Sequence, residues 1–213
     1  MGNPRILRQL PRGLKERVNL APKLNRAEME AAVASFLRAA GLSLADPNLR
    51  DTPGRVVAAW ASEFLDGYLR TPEEVLGETY PAPEGNGGEL VLVTDLQFHS
   101  TCPHHLLPYE GRAHLAYVPS KRVVGFGRLS ALLDCFAHRL ILQEELARRV
   151  ASALAEQLDS PATACILDAK QACLRLRGHR QLAARTHVEA YEGRLRRNKA
   201  LRRELWARLG AKP

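Results

Sequence analysis

One short stretch of the sequence concentrates side chains that can bind a metal ion. Residues 100–105 read STCPHH, so Cys102 and His105 form a C-x-x-H pattern that includes a second histidine, His104. Thiolate and imidazole are ligands that Zn²⁺ prefers, and a catalytic zinc uses three protein ligands and one open position. The pattern therefore indicates two ligands of an incomplete zinc site, although so short a spacing also arises by chance.

A third zinc ligand has to come from elsewhere in the chain, and Cys173 is the strongest candidate. The sequence contains four cysteines, of which Cys135 and Cys165 lie among apolar residues and are predicted to be buried. Cys173 has polar and charged neighbours instead. Two cysteines, one histidine and a water molecule form a catalytic type of zinc site. The alternative is that Cys102 fills a buried space and that the neighbouring histidines are exposed loop residues.

His104 has an interpretation of its own. In an extended backbone it points away from His105, which leaves it free to act as a general acid or base beside the metal. The competing interpretation is a solvated or core histidine, which is the commoner role for a single histidine.

The composition indicates a soluble globular protein with a basic surface. The chain has 213 residues, which predicts one domain with an additional N-terminal segment. Its net charge of +8 is explained either by a basic, soluble surface or by an anionic partner, nucleic acid or a phosphorylated small molecule. Basic residues cluster near the C-terminus without a nucleic-acid-binding motif, so we expect no nucleic-acid partner. The sequence has neither an apolar run of membrane-spanning length nor a secretory signal, which predicts a cytoplasmic protein without a membrane partner.

Hydrophobic periodicity and capping residues predict the elements that must position these side chains. Asn25 is predicted to cap a first helix. Asp51 or Thr52 caps a second one, which has Pro53 in its first turn and ends before Gly67. The stretches that contain the predicted helices are residues 25–42, 46–69, 71–76 and 123–158, the last with a break near residues 138–140.

Four strands are predicted in the second part of the chain, and a final helix follows them. The strands cover residues 89–100, 112–120, 162–178 and 187–193. The order of elements is helices, two strands, two helices, two strands and a helix. This order predicts an α+β protein with an antiparallel sheet.

Several collinear motifs, taken together, resemble those of GTP cyclohydrolase I from residue 26 to the C-terminus. They are DTPGRV (51–56), FHSTCPHHLLPYEG (98–111), AYVPSKRVVGFGRL (116–129), FAHRLILQEELA (136–147) and DAKQACLRLRG (168–178). The resemblance implies the tunnelling fold, in which two helices are inserted between the strand pairs of a four-stranded antiparallel sheet. It divides the chain into a basic N-terminal arm (1–24), an N-terminal helical region (25–88) and a catalytic domain (89–213).

The resemblance also implies an assembly and a reaction. Family members form oligomeric barrels, typically decamers of two pentamers with active sites between subunits. They open the imidazole ring of GTP, release C8 as formate and form 7,8-dihydroneopterin triphosphate, the first step of folate and pterin biosynthesis.

The resemblance assigns roles to individual residues of this chain. The zinc ligands are Cys102, His105 and Cys173, and His104 is a catalytic histidine. Gln143 and Glu144 recognise guanine, for which a carboxylate can accept two hydrogen bonds from one base edge. The guanidinium groups of Arg55 and Arg177 hold the triphosphate.

The chain departs from the family at several positions. Pro103 replaces a glutamate between the first zinc ligand and the two histidines, and Ala131 replaces an arginine. Gly127 and Arg128 replace a serine and a lysine, and Arg128 keeps the positive charge for phosphate binding. These changes leave open whether the triphosphate is the preferred substrate.

Gln171 is the most consequential departure, because it replaces a histidine near N7 and C8 of the purine. Glutamine forms hydrogen bonds but does not exchange a proton near neutral pH. If the strand of residues 162–178 continues, residues 171, 173, 175, 177 and 179 share one face. His99, His114 and His179 are the candidates for replacing the missing group. Without a replacement, the alternatives are an enzyme that stops at a formamidopyrimidine and a non-catalytic nucleotide-binding regulator.

Overall fold

The computed structural model describes residues 24–83, 89–178 and 180–210 of the chain. The predicted N-terminal arm lies outside the described residues except for Leu24, and so does His179. The chain forms two compact units, an N-terminal unit that ends at Ser62 and a C-terminal unit that begins at Glu63. Within the described ranges, no helix is long and apolar enough to cross a membrane.

The first helix of the N-terminal unit begins where the sequence predicts. Helix α1 covers Arg26–Ala39, and Asn25 is its N-cap. The Asn25 side chain accepts a hydrogen bond from the backbone N–H of Glu28 at 3.2 Å, which satisfies one of the free donors of the first turn.

The second predicted helix, expected over residues 46–69, is broken into three pieces. Helix α2 covers Thr52–Ala59, a π-helical turn covers Trp60–Phe64 and a 3₁₀ turn covers Asp66–Leu69. Gly67 therefore lies inside the last turn and not beyond the end of the helix. A Cβ atom at this position would come within 2.7 Å of two backbone carbonyl oxygens, so the packing requires glycine.

A short helix and a two-stranded ribbon follow. Helix α3 covers Pro72–Leu76 and begins with a capping box, in which the side chain and backbone of Thr71 exchange hydrogen bonds with Glu74. Strand β1 (Tyr80–Pro81) pairs antiparallel with strand β4 (Arg122–Val123).

The predicted four-stranded antiparallel sheet is confirmed in the C-terminal unit. It consists of β2 (Val91–Thr101), β3 (Pro108–Tyr117), β5 (Ala162–Gln171) and β6 (Thr186–Gly193), in the order β2-β3-β5-β6. All three neighbouring pairs are antiparallel. The α+β class predicted from the sequence is therefore correct.

The two helices expected between the strand pairs are α4 (Phe126–Ala137) and α5 (Gln143–Gln157), with the predicted break between them. Their apolar side chains pack on one face of the sheet and form the main core. Its fully buried members include Leu129, Leu133, Leu146, Val150, Leu154, Cys135, Cys165 and Leu167. The predicted burial of Cys135 and Cys165 is thus confirmed.

The opposite face of the sheet carries a smaller apolar cluster. Alternate residues of β5, such as Ile166, point to this side because side chains of a strand alternate between faces. Two C-terminal helices, α7 (Arg194–Arg197) and α8 (Lys199–Arg208), cover the cluster with Leu195 and Leu205.

Strand β5 ends earlier than the sequence predicts. Its last pair joins Gln171 to Tyr109 of β3, and the next residues form a helical turn, α6, over Ala172–Arg175. Beyond Tyr109 the neighbouring chain reaches Pro108, which has no N–H to extend the ladder. The prediction that residues 171, 173, 175 and 177 share one strand face is therefore wrong.

Candidate active site

A cavity of about 650 Å³ lies where the ends of β2 and β5 meet the beginning of α5. It collects five of the ten predicted site residues, namely Cys102, His104, Gln143, Glu144 and Gln171. The rest of its lining is Tyr109, Ile141, Leu142, Glu145, Arg148 and Thr186. The cavity therefore combines a thiol, an imidazole, carboxylates and amides.

A tight turn after β2 positions the first group of these side chains. The backbone N–H of Leu106 donates to the carbonyl oxygen of Cys102 at 3.0 Å, and the N–H of Cys102 donates to Leu107 O at 3.0 Å. The turn buries Cys102, while His104 and His105 are exposed with their rings nearly perpendicular and 6.4 Å apart. His104 lines the cavity.

The predicted zinc ligands have donor groups that fit the ion. Cys102 is a free cysteine in the cavity wall, His105 lies in the same turn, and Cys173 is a half-buried free cysteine on α6. Across the ranges that the structure describes, however, no three His, Cys, Asp or Glu side chains are close enough to share a metal ion. The set of Cys102, His105 and Cys173 therefore stays a prediction, and its closure would require side chains of the turn and of α6 to move.

Gln143 is buried at the beginning of α5, and protein groups occupy its whole hydrogen-bonding capacity. Its Nε2 donates to Leu167 O at 3.1 Å and to Thr186 O at 3.2 Å. Its Oε1 accepts from Gln171 Nε2 at 2.8 Å and from Thr186 Oγ1 at 2.5 Å. A side-chain amide has two donor hydrogens and two acceptor lone pairs. In this arrangement Gln143 has no hydrogen bond left for a ligand.

Glu144, the next residue, has the opposite environment. It is exposed in the first turn of α5 and lines the cavity. We find no hydrogen bond or ion pair between Glu144 and any other described residue. A negative charge is favoured at the N-terminus of a helix. Glu144 thus presents an available carboxylate to the cavity.

Tyr109 supports the segment that leads into α5. This side chain is 1% exposed, and its hydroxyl donates to the carbonyl oxygen of Ile141 at 3.0 Å. The N–H of Ile141 donates in turn to Thr101 O at 3.1 Å, next to Cys102. Burial raises the pKa of Tyr109 far more than its interaction with the Ser100 side chain lowers it, so the hydroxyl keeps its proton.

A second carboxylate at the cavity wall, Glu145, is tied to two arginines. Arg148 Nε and Arg149 Nε each donate to it, at 2.8 and 2.6 Å. Burial by itself raises the pKa of Glu145, but the hydrogen bonds and charges of Arg148 and Arg149 outweigh burial and lower it. Glu145 is therefore ionised, and its carboxylate is occupied by hydrogen bonds from Arg148 and Arg149.

The predicted phosphate-binding arginines do not line this cavity. Arg128 is exposed in the first turn of α4, with its guanidinium group beside Gly77, and Arg177 is exposed after α6. Arg55 belongs to the N-terminal unit, where it pairs with Asp51 at 3.3 Å.

Two of the three histidines considered as replacements for the group at position 171, His99 and His114, lie elsewhere in the described part of the chain. The ring of His99 packs 4.6 Å from that of His138 and its Nε2 lies 3.0 Å from Glu63 O. His114 faces a second depression, lined by residues of the opposite sheet face, and its Nδ1 accepts a hydrogen bond from the N–H of Asp95. Burial lowers the pKa of His114.

Sequence reasoning missed Thr186, Tyr109 and the Glu145–Arg148 pair. Thr186 reaches the cavity because β6 pairs beside β5, and it lies outside the quoted motifs. Tyr109 lies in the motif of residues 98–111, but a tyrosine there carries no chemical signature of its own. The run of glutamates at the beginning of α5 was the available signal for Glu145.

The chain is similar to known proteins over most of its length. The family model of GTP cyclohydrolase I matches residues 29–210. GTP cyclohydrolase 1 of Leifsonia xyli subsp. xyli is 39% identical over 186 residues, which are 87% of this chain and 96% of that protein. GTP cyclohydrolase 1 of Campylobacter jejuni subsp. doylei is 36% identical over 181 residues, which are 84% of this chain and 93% of that protein.

One solved structure shows a weak likeness to this chain. The archaeosine synthase QueF-Like in the apo form matches 49% of this chain and 93% of its own, with 19% identity and a TM-score of 0.41. The extent of the family match and the identities to the two cyclohydrolases show that this chain belongs to the GTP cyclohydrolase I family.

Proposed function

We propose that the protein hydrolyses GTP to 7,8-dihydroneopterin triphosphate with release of formate, in a zinc-dependent reaction. The observation that carries the proposal is the cavity in which the carboxylate of Glu144, without a partner among the described residues, lies with Cys102, His104 and Gln171. The carboxylate can accept hydrogen bonds from the edge of a purine base. The thiol and the imidazole are groups that can bind a metal ion or transfer a proton beside that base. Membership of the GTP cyclohydrolase I family supports the same activity.

Glu144 is the residue that we assign to recognition of guanine. Its carboxylate can accept hydrogen bonds from N1–H and the exocyclic amine together, and adenine offers no such pair of donors on that edge. Its available carboxylate, without a protein partner among the described residues, is what such a contact requires. Gln143, which the sequence also assigned to guanine, is saturated by protein groups.

His104 is the residue that we assign to proton transfer. It is exposed at the cavity, and the two ring nitrogens of an imidazole can donate and accept a proton. Cys102, His105 and Cys173 would hold the zinc ion, which would supply a Lewis acid for activating water when bound. Gln171 can orient the purine by hydrogen bonds.

The phosphate chain would be held by arginines outside this cavity. Arg55, Arg128 and Arg177 carry the charges that fit a triphosphate. We propose that the protein is a homo-oligomer, a decamer of two pentamers, in which arginines of one subunit reach the cavity of a neighbouring subunit. Light scattering would measure the size of the assembly. Mixing the impaired Arg177→Ala and Glu144→Gln proteins should raise activity above that of either variant alone if a site combines both residues from different subunits, and no rise would count against shared sites.

The direct test of the function uses purified protein, zinc and GTP. We expect formate and, after oxidation, a fluorescent pterin. Glu144→Gln should lower kcat/KM for GTP by about 10²-fold, since it removes a charge-assisted bidentate contact. Glu156→Gln, an exposed position on the same helix, is the matched control and should leave kcat/KM unchanged. Absence of both products from zinc-loaded protein would exclude the complete reaction.

A second candidate function follows from Gln171. This amide stands in the cavity wall and does not exchange a proton near neutral pH. The enzyme would then open the imidazole ring and stop at a formamidopyrimidine nucleotide. Mass spectrometry would detect a product heavier by one water, without formate. Finding dihydroneopterin triphosphate would exclude this candidate. A third possibility, a regulator that only binds nucleotides, predicts calorimetric binding of GTP without any product.

A further inference from the structure

The orientation of the Gln143 amide is determined by its surroundings. Its Nε2 lies 3.1 Å from Leu167 O and 3.2 Å from Thr186 O. Backbone carbonyl oxygens only accept hydrogen bonds, so the group that faces them has to be the amide NH₂. The opposite side of the Gln143 amide is therefore its carbonyl oxygen, which can only accept.

This acceptor determines the orientation of the next amide. Gln171 lies with its Nε2 2.8 Å from Gln143 Oε1, so it has to donate one N–H there. Thr186 Oγ1 lies 2.5 Å from the same oxygen and has to donate its proton as well. The Thr186 hydroxyl is also 3.3 Å from Ala169 O, a longer and weaker alternative.

We propose that Gln143 and Thr186 are positioning residues, which hold Gln171 in one orientation with its carbonyl oxygen and its second N–H available to the ligand. The three residues belong to three elements, since Gln143 begins α5, Gln171 ends β5 and Thr186 begins β6. Their hydrogen bonds fix the Gln171 side chain relative to the helix that carries Glu144.

The inference rests on the proposed function for its kinetic consequence, because Gln171 acts on the substrate in that proposal. Gln171 Oε1 is then a hydrogen-bond acceptor in a fixed position. It favours a ligand with a hydrogen-bond donor at that point, either on the purine or on its ring-opened form. Gln143 then does not contact guanine itself. It affects the reaction by holding Gln171 in position.

The test is a double-mutant cycle between positions 186 and 171. Thr186→Val removes the hydroxyl at nearly constant volume. We expect kcat for GTP to fall about five- to tenfold, the loss of one hydrogen bond in the network, and KM to change less than about twofold. Thr186→Ser should restore kcat. In a Gln171→Ala background, Thr186→Val should lower kcat by less than about twofold further, because the side chain that it positions is gone.

The matched control is Thr163→Val. Thr163 is a fully buried threonine of β5 whose hydroxyl donates to Ala151 O at 2.7 Å, and it does not line the cavity. It should lower thermal stability and leave kcat unchanged. Equal losses of kcat in both valine variants, or additive losses in the cycle, would overturn the proposal.

A crystal structure separates failure of this inference from failure of the proposed function. If the wild-type protein does not turn over GTP, the proposed function fails. Gln171 should nevertheless occupy one rotamer against Gln143 in the wild type and lose it in Thr186→Val. An unchanged Gln171 rotamer in that variant would overturn the positioning role irrespective of activity.

Discussion

Removing one hydroxyl group at Tyr109 should weaken both the fold and the site. The Tyr109 hydroxyl donates to Ile141 O at 3.0 Å inside the core, between β3 and the segment that leads into α5. Tyr109→Phe keeps the ring and leaves the carbonyl of Ile141 without this donor. An unsatisfied buried acceptor costs about 1–3 kcal/mol.

We expect the free energy of unfolding to fall by about 1–2 kcal/mol, in the lower part of that range because a phenylalanine ring still fills the space. For a chain of this length this corresponds to a decrease of about 2–8 °C in Tm. The affinity for GTP should fall as well, because the released segment leads into the helix that carries Glu144.

The measurements are thermal or denaturant unfolding and calorimetric titration with GTP. Tyr117→Phe is the matched control, since Tyr117 is buried in the same strand and its hydroxyl interacts with the backbone of Val124, away from the cavity. It should cost a similar stability without a loss of affinity. A Tyr109→Phe protein with wild-type stability, or equal losses of affinity in both variants, would refute the reasoning.

Three other substitutions test an ion pair, a close packing contact and a metal ligand. Glu145→Gln should lower the free energy of unfolding by about 0.5–1 kcal/mol at pH 7. Because the folded pKa of Glu145 is lowered from 4.5, this stabilisation is present above pH 4.5 and disappears as the pH falls through the folded pKa. Gly111→Ala should destabilise by about 2–4 kcal/mol, since its Cβ would overlap the carbonyl oxygen of Asp168. If Cys173 is a zinc ligand as proposed, Cys173→Ser should bind less zinc than the wild type, which metal analysis of the purified protein measures.

Each of these predictions has its own control. A stability difference for Glu145→Gln that does not diminish as the pH falls below 4.5 would contradict the ion-pair explanation. Gly127→Ala, with no atom within 4 Å of the added Cβ, should be neutral or stabilise α4 by up to about 1 kcal/mol, and an equal loss at both glycines would contradict the steric argument. Cys135→Ser should keep its zinc, whereas full zinc in Cys173→Ser would remove Cys173 from the ligand set.

The sequence by itself predicted those features that depend on neighbours along the chain. Asn25 caps α1 because its side chain reaches an N–H three residues away. The alternation of apolar residues predicted strands β2, β3 and β6, and the break between α4 and α5 lies where expected. The collinear motifs predicted the family, and the family match confirms it.

The end of β5 could not be predicted in the same way. The apolar and polar pattern of residues 162–178 continues past Gln171, but a strand needs a partner for its backbone groups. The register places the last pair at Tyr109, next to a proline, and this register depends on residues about sixty positions apart.

Only the tertiary structure decided which residues share the cavity and what each can do there. Gln143 and Glu144 are adjacent in the same motif, yet the first is saturated by backbone carbonyls, Gln171 and Thr186, and the second is available. The reason is that a helix turns successive side chains about 100° apart, so one faces the sheet and the other the cavity. Whether a side chain still has a free hydrogen bond depends on which atoms the fold places next to it. The order of residues along the chain does not specify those neighbours.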